Sequence, residues 1–301
     1  DLRNTDKKFV GAPTGIDGLA LYWNEAIFRA AGIPTPPGSW QEVDDVAKRL
    51  TVRGPDGNIR TAGIALGTTN NVDHFSDIFA LMVIQNGGDL KAPTDKESSD
   101  ALDYYVHFAQ GQNRVWDETM PSSTAAFISG NLAMYFGPSY RAAQIKTENP
   151  TLNFKVSPLP QLEGGKTSWA SYWALGVSAK TEHPQDALEF LKFLQEDQVQ
   201  ILIYTLSAKN DGKYNSQPYA KTSLAQKLAS DPIFGAYITD APYAKSFPIA
   251  SNTFDNGLND QMIKIYQKAI NDVNSNIPAQ RALEDAAKHV KDTLIKYGTA
   301  F

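Results

Sequence analysis

The stretch Phe127-Ile-Ser-Gly130-Asn-Leu-Ala-Met134-Tyr-Phe-Gly137-Pro-Ser-Tyr140 constrains this chain more than any other. Its pattern predicts a short helix ending at Gly130, a turn, and a buried strand over residues 133–136. Gly137 breaks the strand, and Tyr140 follows at its carboxyl end. In open α/β sheets, ligands sit outside the carboxyl ends of strands. Tyr140 is therefore either a ligand platform or a surface tyrosine at a strand end. Arg141 stands beside it, and a positioned arginine favours a carboxylate or phosphate group.

The rest of the chain alternates helix and strand signals, which predicts an α/β fold. Strands are expected over residues 9–12, 19–23, 62–66, 154–157 and, buried, 173–178. Asn24 reads as the N-cap of a helix stopped by Gly32. Ser39-x-x-Glu42 is a capping box, with Trp40, Val43, Ala47 and Leu50 on one face. Helices are also expected over residues 73–86, closed by Gly87-Gly88, and 100–109. Pro184 at a helix start opens a segment whose apolar set is Ala187, Phe190, Leu191 and Leu194. Asn210-Asp-Gly212 reads as a turn. Leu258, Met262, Ile265, Tyr266, Ala269 and Val273 form one helical stripe. Ala282, Leu283, Ala286, Val290 and Leu294 form another, after Pro278.

Composition narrows the function classes. The 301 residues are 42% hydrophobic and 20% charged, enough apolar material for a sizeable core. A formal net charge of −5 argues against a nucleic-acid partner and a polybasic membrane surface. Without cysteine there is no disulfide framework, thiol nucleophile or thiolate metal site. The apolar runs are far shorter than the roughly 20 residues that span a bilayer. The sequence holds no nucleophile elbow, P-loop, His-Glu-x-x-His or dinucleotide fingerprint. Its four histidines have no ligand spacing, so no catalytic residue, metal site or cofactor is expected.

Aromatic residues are the stronger clue. Trp169, Tyr172 and Trp173 fall within five residues. Strand alternation sends Tyr172 and Trp173 to opposite faces, so one set is free to line a cleft. A ring offers an apolar face and a polar tip, which suits the C–H face and hydroxyls of a sugar. Trp40 and Trp116 read as structural.

Six phrases in one order then bring a family into view. They are Gly11-Ala-Pro13 through Asp17-Gly-Leu-Ala-Leu-Tyr-Trp-Asn24, Ala31-Gly-Ile-Pro-Thr-Pro-Pro-Gly-Ser-Trp40-Gln-Glu42, Gln85-Asn-Gly87-Gly88, the Gly130-to-Tyr140 phrase, Trp173-Ala-Leu-Gly-Val-Ser178 with Ala187-Leu-Glu-Phe-Leu191, and Ala282-Leu-Glu-Asp-Ala286. The chain resembles the extracellular solute-binding proteins of ABC transporters, in the maltose- and oligosaccharide-binding branch. The resemblance implies a type II periplasmic-binding-protein fold of two α/β lobes joined by a hinge. Residues 1–23 and 174–250 would form the first lobe, and residues 24–173 and 251–301 the second. The family's opening βαβ block has no counterpart, so the first lobe is expected to be incomplete. Either this chain is a fragment, or a missing segment or second chain completes that lobe, or the lobe is rebuilt differently.

The same resemblance implies hinge closure around a mono- or oligosaccharide, delivery to ABC permease subunits, and an extracytoplasmic place, periplasmic or anchored at a bacterial cell surface. Asp17 matches an acidic position that accepts sugar hydroxyls in that branch; a turn aspartate is the alternative. Asp73 is a similar candidate. His74 opens the helix where the family places pocket residues, and is otherwise a helix-start surface residue. Asn252 and Asp255 precede the helix at Leu258, where the family contributes a pocket loop. Two other classes stay open: a carbohydrate-active enzyme using Asp17 and Asp73 as an acid/base pair, and a sensor or interaction module without transport.

Overall fold

The computed structural model describes residues 10–112, 114–210 and 217–299. Two sheets organise the chain, and it passes between them at the points that matter for the site. Strand β1 (Ala12–Gly18) and β2 (Ala20–Asn24) are separated by Leu19 alone, yet lie in different sheets. β1 belongs to a three-stranded sheet, with β7 (Ser168–Leu175) antiparallel beside it and β8 (Ala244–Lys245) parallel to β7. β2 lies in a five-stranded sheet of order β3-β4-β5-β2-β6, formed with β3 (Val52–Arg53), β4 (Ile59–Ile64), β5 (Leu132–Gly137) and β6 (Phe154–Ser157). β2 runs antiparallel to β5 and β6, while β4 and β5 are parallel.

The local signals explain most elements. Asn24 caps α1 (Glu25–Ala30) by accepting from the amides of Ala26 and Ile27. Ser39 and Glu42 form both arms of the capping box on α2 (Trp40–Leu50), whose Trp40, Val43, Ala47 and Leu50 are buried. α3 (Phe75–Gln85) is apolar nearly all round and buried accordingly. It packs on α4 (Lys96–His107), capped by Asp95, and on α11 (Leu258–Asn274). α5 (Ser123–Ile128) leads into β5, and α6 (Arg141–Glu148) leaves it. α12 (Ala279–Lys296) buries all five residues of its expected stripe against α11 and α4. In α11 the buried face holds Met262, Ile263, Tyr266, Ala269, Ile270 and Val273, with Leu258 and Ile265 only partly covered. Trp40 and Trp116 are core residues, at 4% and 0% exposure.

Three expectations fail. The strand expected over residues 9–12 is displaced along the chain: Val10 and Gly11 are not in a strand, and β1 starts at Ala12. The strand expected over residues 173–178 is not buried and starts earlier, at Ser168; Trp173, Leu175 and Val177 are exposed. α7 (Pro184–Leu194) has the expected apolar periodicity, but no residue of it is buried. Phe190 and Phe193 are exposed, as are Leu202, Ile203 and Leu206 of α8 (Asp197–Asn210). Periodicity reports which residues share a face; it does not supply what covers that face. Beyond α8 come α9 (Thr222–Ala225) and α10 (Phe234–Asp240). Phe9 and most of the Asn210-Asp-Gly212 turn lie outside the described residues.

Candidate functional site

Where β1 hands over to β2 and β5 hands over to α6, the sheets leave a cleft of about 340 Å³. Eight of the ten residues singled out in the sequence border it: Asp17, Asp73, His74, Tyr140, Arg141, Trp169, Trp173 and Asn252. Tyr172 points instead into an adjoining depression of about 710 Å³, which shares Trp173, Asn252 and Phe254 with the first. Asp255 borders neither, and its carboxylate accepts from Thr253 Oγ1 and the Gly257 amide within its own loop.

The wall is held by short hydrogen bonds. Asp17, at the end of β1, is buried to 8% exposure. Its Oδ1 accepts from the Ser139 amide at 2.9 Å and the Gly18 amide at 2.8 Å, and its Oδ2 accepts from Ser139 Oγ at 3.0 Å. Burial lifts the Asp17 carboxyl to about 6, against the pull of those bonds. Glycine at position 18 is required by close approach: a Cβ there would lie 2.3 Å from the Trp169 carbonyl oxygen. Asp73 accepts from the Thr124 amide at 2.9 Å and Ser123 Oγ at 3.2 Å. Burial works to raise its carboxyl, but hydrogen bonds from the Thr124 side chain and amide, with the Arg141 charge, leave it below the ordinary carboxylate value.

His74 occupies the N-cap position of α3 without capping it. Arg141 Nε donates to His74 Nε2 at 3.2 Å, which places the imidazole hydrogen on Nδ1. Burial, reinforced by the Arg141 cation, drives the imidazole down to about 3, so His74 is neutral at physiological pH. Arg141 also donates to Gln144 Oε1 at 2.6 Å and lies 5.3 Å from the centre of the Tyr140 ring. Tyr140 itself is 44% exposed and Trp173 is 65% exposed, so both offer open faces. Trp169, on the same strand face as Trp173, is buried to 2% and donates from Nε1 to Asp77 Oδ1 at 2.7 Å.

Sequence reasoning missed Asp77 and Phe254, both of which border the cleft. Asp77 hides in an otherwise apolar helix, three residues after His74, where an acid reads as first-turn decoration. Phe254 is 88% exposed and has φ of 57°, in the left-handed region that costs a non-glycine residue. The buried Asp260 carboxylate fixes that loop by accepting from the amides of Thr253, Phe254 and Asn256. The polar run Asn252-Thr-Phe-Asp-Asn-Gly257 signals a turn, but nothing in it states which way the ring points.

Chemically, the cleft combines open aromatic faces with carboxyl, guanidinium, imidazole and amide groups. The described residues contain no group of three or more His, Asp or Glu able to hold a metal ion. Asp17 and Asp73 are each tied by hydrogen bonds to a separate backbone segment. No helix among the described residues is long and apolar enough to cross a membrane.

Comparison with known proteins agrees with this architecture. A lipoprotein from the oleD 5′ region of Streptomyces antibioticus is 29% identical over 174 residues, covering 54% of this chain and 38% of that protein. The structure of CpMnBP1 with mannotriose bound superposes with a TM-score of 0.63 at 25% identity, covering 95% of this chain and 74% of that one. An ABC substrate-binding protein from Listeria monocytogenes in complex with cycloalternan superposes at 0.70 with 16% identity, covering 97% and 73%. The chain spans no more than about half the length of the curated relatives it matches. The family model described as bacterial extracellular solute-binding protein matches residues 1–201, two thirds of the chain, and the chain belongs to that family.

Proposed function

We propose that this chain binds an oligosaccharide in the cleft between its two sheets and presents it to the permease of an ABC importer. The observation that carries this reading is the cleft itself: open faces of Tyr140 and Trp173 flank buried polar groups at a point where the chain crosses between sheets. Rings take the apolar face of a pyranose, and the polar groups take its hydroxyls. Support comes from CpMnBP1, solved with mannobiose and with mannotriose, and from the Listeria protein solved with cycloalternan.

In this reading the lobe that carries β1 moves against the lobe that carries the five-stranded sheet, β2 included, hinged near Leu19. Closure buries the solute, and the permease engages the closed form. Asp17, Asp73, His74, Arg141, Trp169 and Asn252 line the primary site, Trp173 bridges the two depressions, and Tyr172 serves the outer one. The protein works outside the cytoplasm, as its family's description implies, and a lipid anchor at the cell surface is the form suggested by the Streptomyces relative.

Thermal shift tests this. Mannobiose, mannotriose and cycloalternan are screened beside polyols, amino acids and phosphate, since a ligand of the native state raises its melting temperature by mass action. The expected result is a shift with an oligosaccharide, reduced in Trp173→Ala by about 0.5–1.5 kcal/mol beyond lost area. A shift with amino acids or phosphate and none with any sugar overturns the reading.

A further inference from the structure

We propose that Asp77, lining the cleft as a neutral carboxylic acid, donates its hydroxyl hydrogen to the bound solute and thereby makes solute binding weaken at alkaline pH. The inference rests on the carbohydrate reading above and adds a residue and a proton to it.

Asp77 is 8% exposed, and what exposure it has faces the cleft. Its Oδ1 is occupied by the Trp169 indole hydrogen at 2.7 Å. Its Oδ2 lies 3.9 Å from His74 Nδ1, beyond hydrogen-bonding reach. One oxygen is thus held by the indole, while the other has no donor within hydrogen-bonding reach among the contacts above, in a side chain that lines the cleft.

The surroundings decide which protonation state fills that position. On its own helix Asp77 faces His74, whose imidazole is neutral, with Asp73 beyond it. From β1 it faces the Asp17 carboxyl, a second acid. From β7 comes the Trp169 donor, and from α6 the neutral Tyr140 phenol. The Arg141 cation is spent on His74, Gln144 and the charge of Asp73. α11 contributes the apolar Ile263. A buried carboxylate with an acid nearby and no cation of its own is costly, so the proton is retained. Burial, then, raises the Asp77 carboxyl to about 8, with the Trp169 bond opposing and Asp17 assisting.

A seated solute displaces water from the one open side of this carboxyl. That deepens its burial and favours the neutral form further, so ligand and proton bind together. The neutral acid donates to a hydroxyl or ring oxygen of the solute.

The test uses the full chain and mannotriose. Calorimetric titration at pH 6.5 and pH 9 is expected to give about tenfold weaker binding at pH 9, one pH unit above the group's ionisation. Asp77→Asn keeps an oxygen for the indole and an N–H for the solute, and is expected to bind with no pH dependence over that range. Equal wild-type affinity at both pH values, or wild-type pH dependence in Asp77→Asn, overturns the donor role. A second readout needs no ligand: the indole N–H resonance of Trp169, assigned by its loss in Trp169→Phe, should titrate near pH 8 and become flat in Asp77→Asn. Titration below pH 5 overturns the neutral acid whatever the solute. If mannotriose, mannobiose and cycloalternan all fail to bind at either pH while the indole titrates as expected, the carbohydrate reading and the donor role fall, and the neutral floor stands.

Discussion

Removing one hydroxyl, in Tyr237→Phe, probes how the cleft walls are fixed to each other. Tyr237 of α10 reaches across to the five-stranded sheet, where its Oη lies 2.8 Å from the Gly137 carbonyl oxygen and 3.0 Å from Tyr22 Oη. Tyr22 Oη donates in turn to the Pro138 carbonyl at 2.8 Å. Two hydroxyl hydrogens serve these three contacts: one goes to Pro138, the other is shared between Gly137 and Tyr22. The carbonyls belong to the turn that carries Ser139, which grips Asp17, and then Tyr140 and Arg141. Deleting the Tyr237 hydroxyl strips the Gly137 carbonyl of this donor at a site where both tyrosines are almost fully buried, at 6% and 0% exposure. Such a loss costs about 1–3 kcal/mol. Urea unfolding of Tyr237→Phe should show a lowered midpoint with an unchanged slope. Tyr22→Phe should cost a similar amount by orphaning Pro138. The double variant should fall short of the sum by about 0.5–1 kcal/mol, because the hydroxyls share one cluster. A Tyr237→Phe cost under about 0.5 kcal/mol, or strict additivity, would refute this view of the turn.

Gly18→Ala should destabilise by about 1–3 kcal/mol, since the new methyl meets backbone and β1 must part from β7; an unchanged urea midpoint contradicts the close approach. Asp77 also leaves a mark on stability. Its folded value of about 8 lies above the carboxylate's ordinary one, so the native state holds the extra proton and stability falls as pH rises toward 8. Between about pH 7 and 8 the Asp17 and Asp240 carboxyls, near 6 in the fold, and the unfolded-state His74 imidazole, ordinarily 6.5, are mostly titrated, so wild type should lose about 1.4 kcal/mol per pH unit at the start of that window. Asp77→Asn should be level over that window, and parallel profiles for the two proteins dispose of the assignment. His74 has the opposite sign: its folded value of about 3 is depressed, so its contribution is present above pH 6.5 and fades as pH falls from there to 3. His74→Gln should therefore resist acid better than wild type in that window, as read by the unfolding midpoint.

Local chemistry made part of the fold readable before any coordinates. Asn24, Ser39 with Glu42, and the stripe from Ala282 to Leu294 each carry their own capping or periodic signal, and each forms the element it announces. β7 was misplaced because Ser168, Ala170 and Ser171 have low strand propensity, and only pairing with β1 makes that stretch a strand. α7 shows the other limit: its pattern predicts a helix with an apolar face, and among the described residues that face stays open.

At the site, aromatic clustering and strand-end position picked out residues that the chain does gather around one cleft. Asp77 escaped because a helix apolar on all sides gives no face on which an acid stands out. Phe254 escaped because its exposure depends on a left-handed backbone, held by Asp260 six residues further on. Neither the hydrogen bond from Trp169 to Asp77 nor the grip of Ser139 on Asp17 can be read from spacing. They join residues 92 and 122 positions apart.

A crystal structure of the chain grown with mannotriose tests the central claim most directly. The account predicts a sugar ring seated between Tyr140 and Trp173, with one of its oxygens about 3 Å from Asp77 Oδ2. Mannotriose bound elsewhere on the surface, or an empty cleft at saturating ligand, would contradict it.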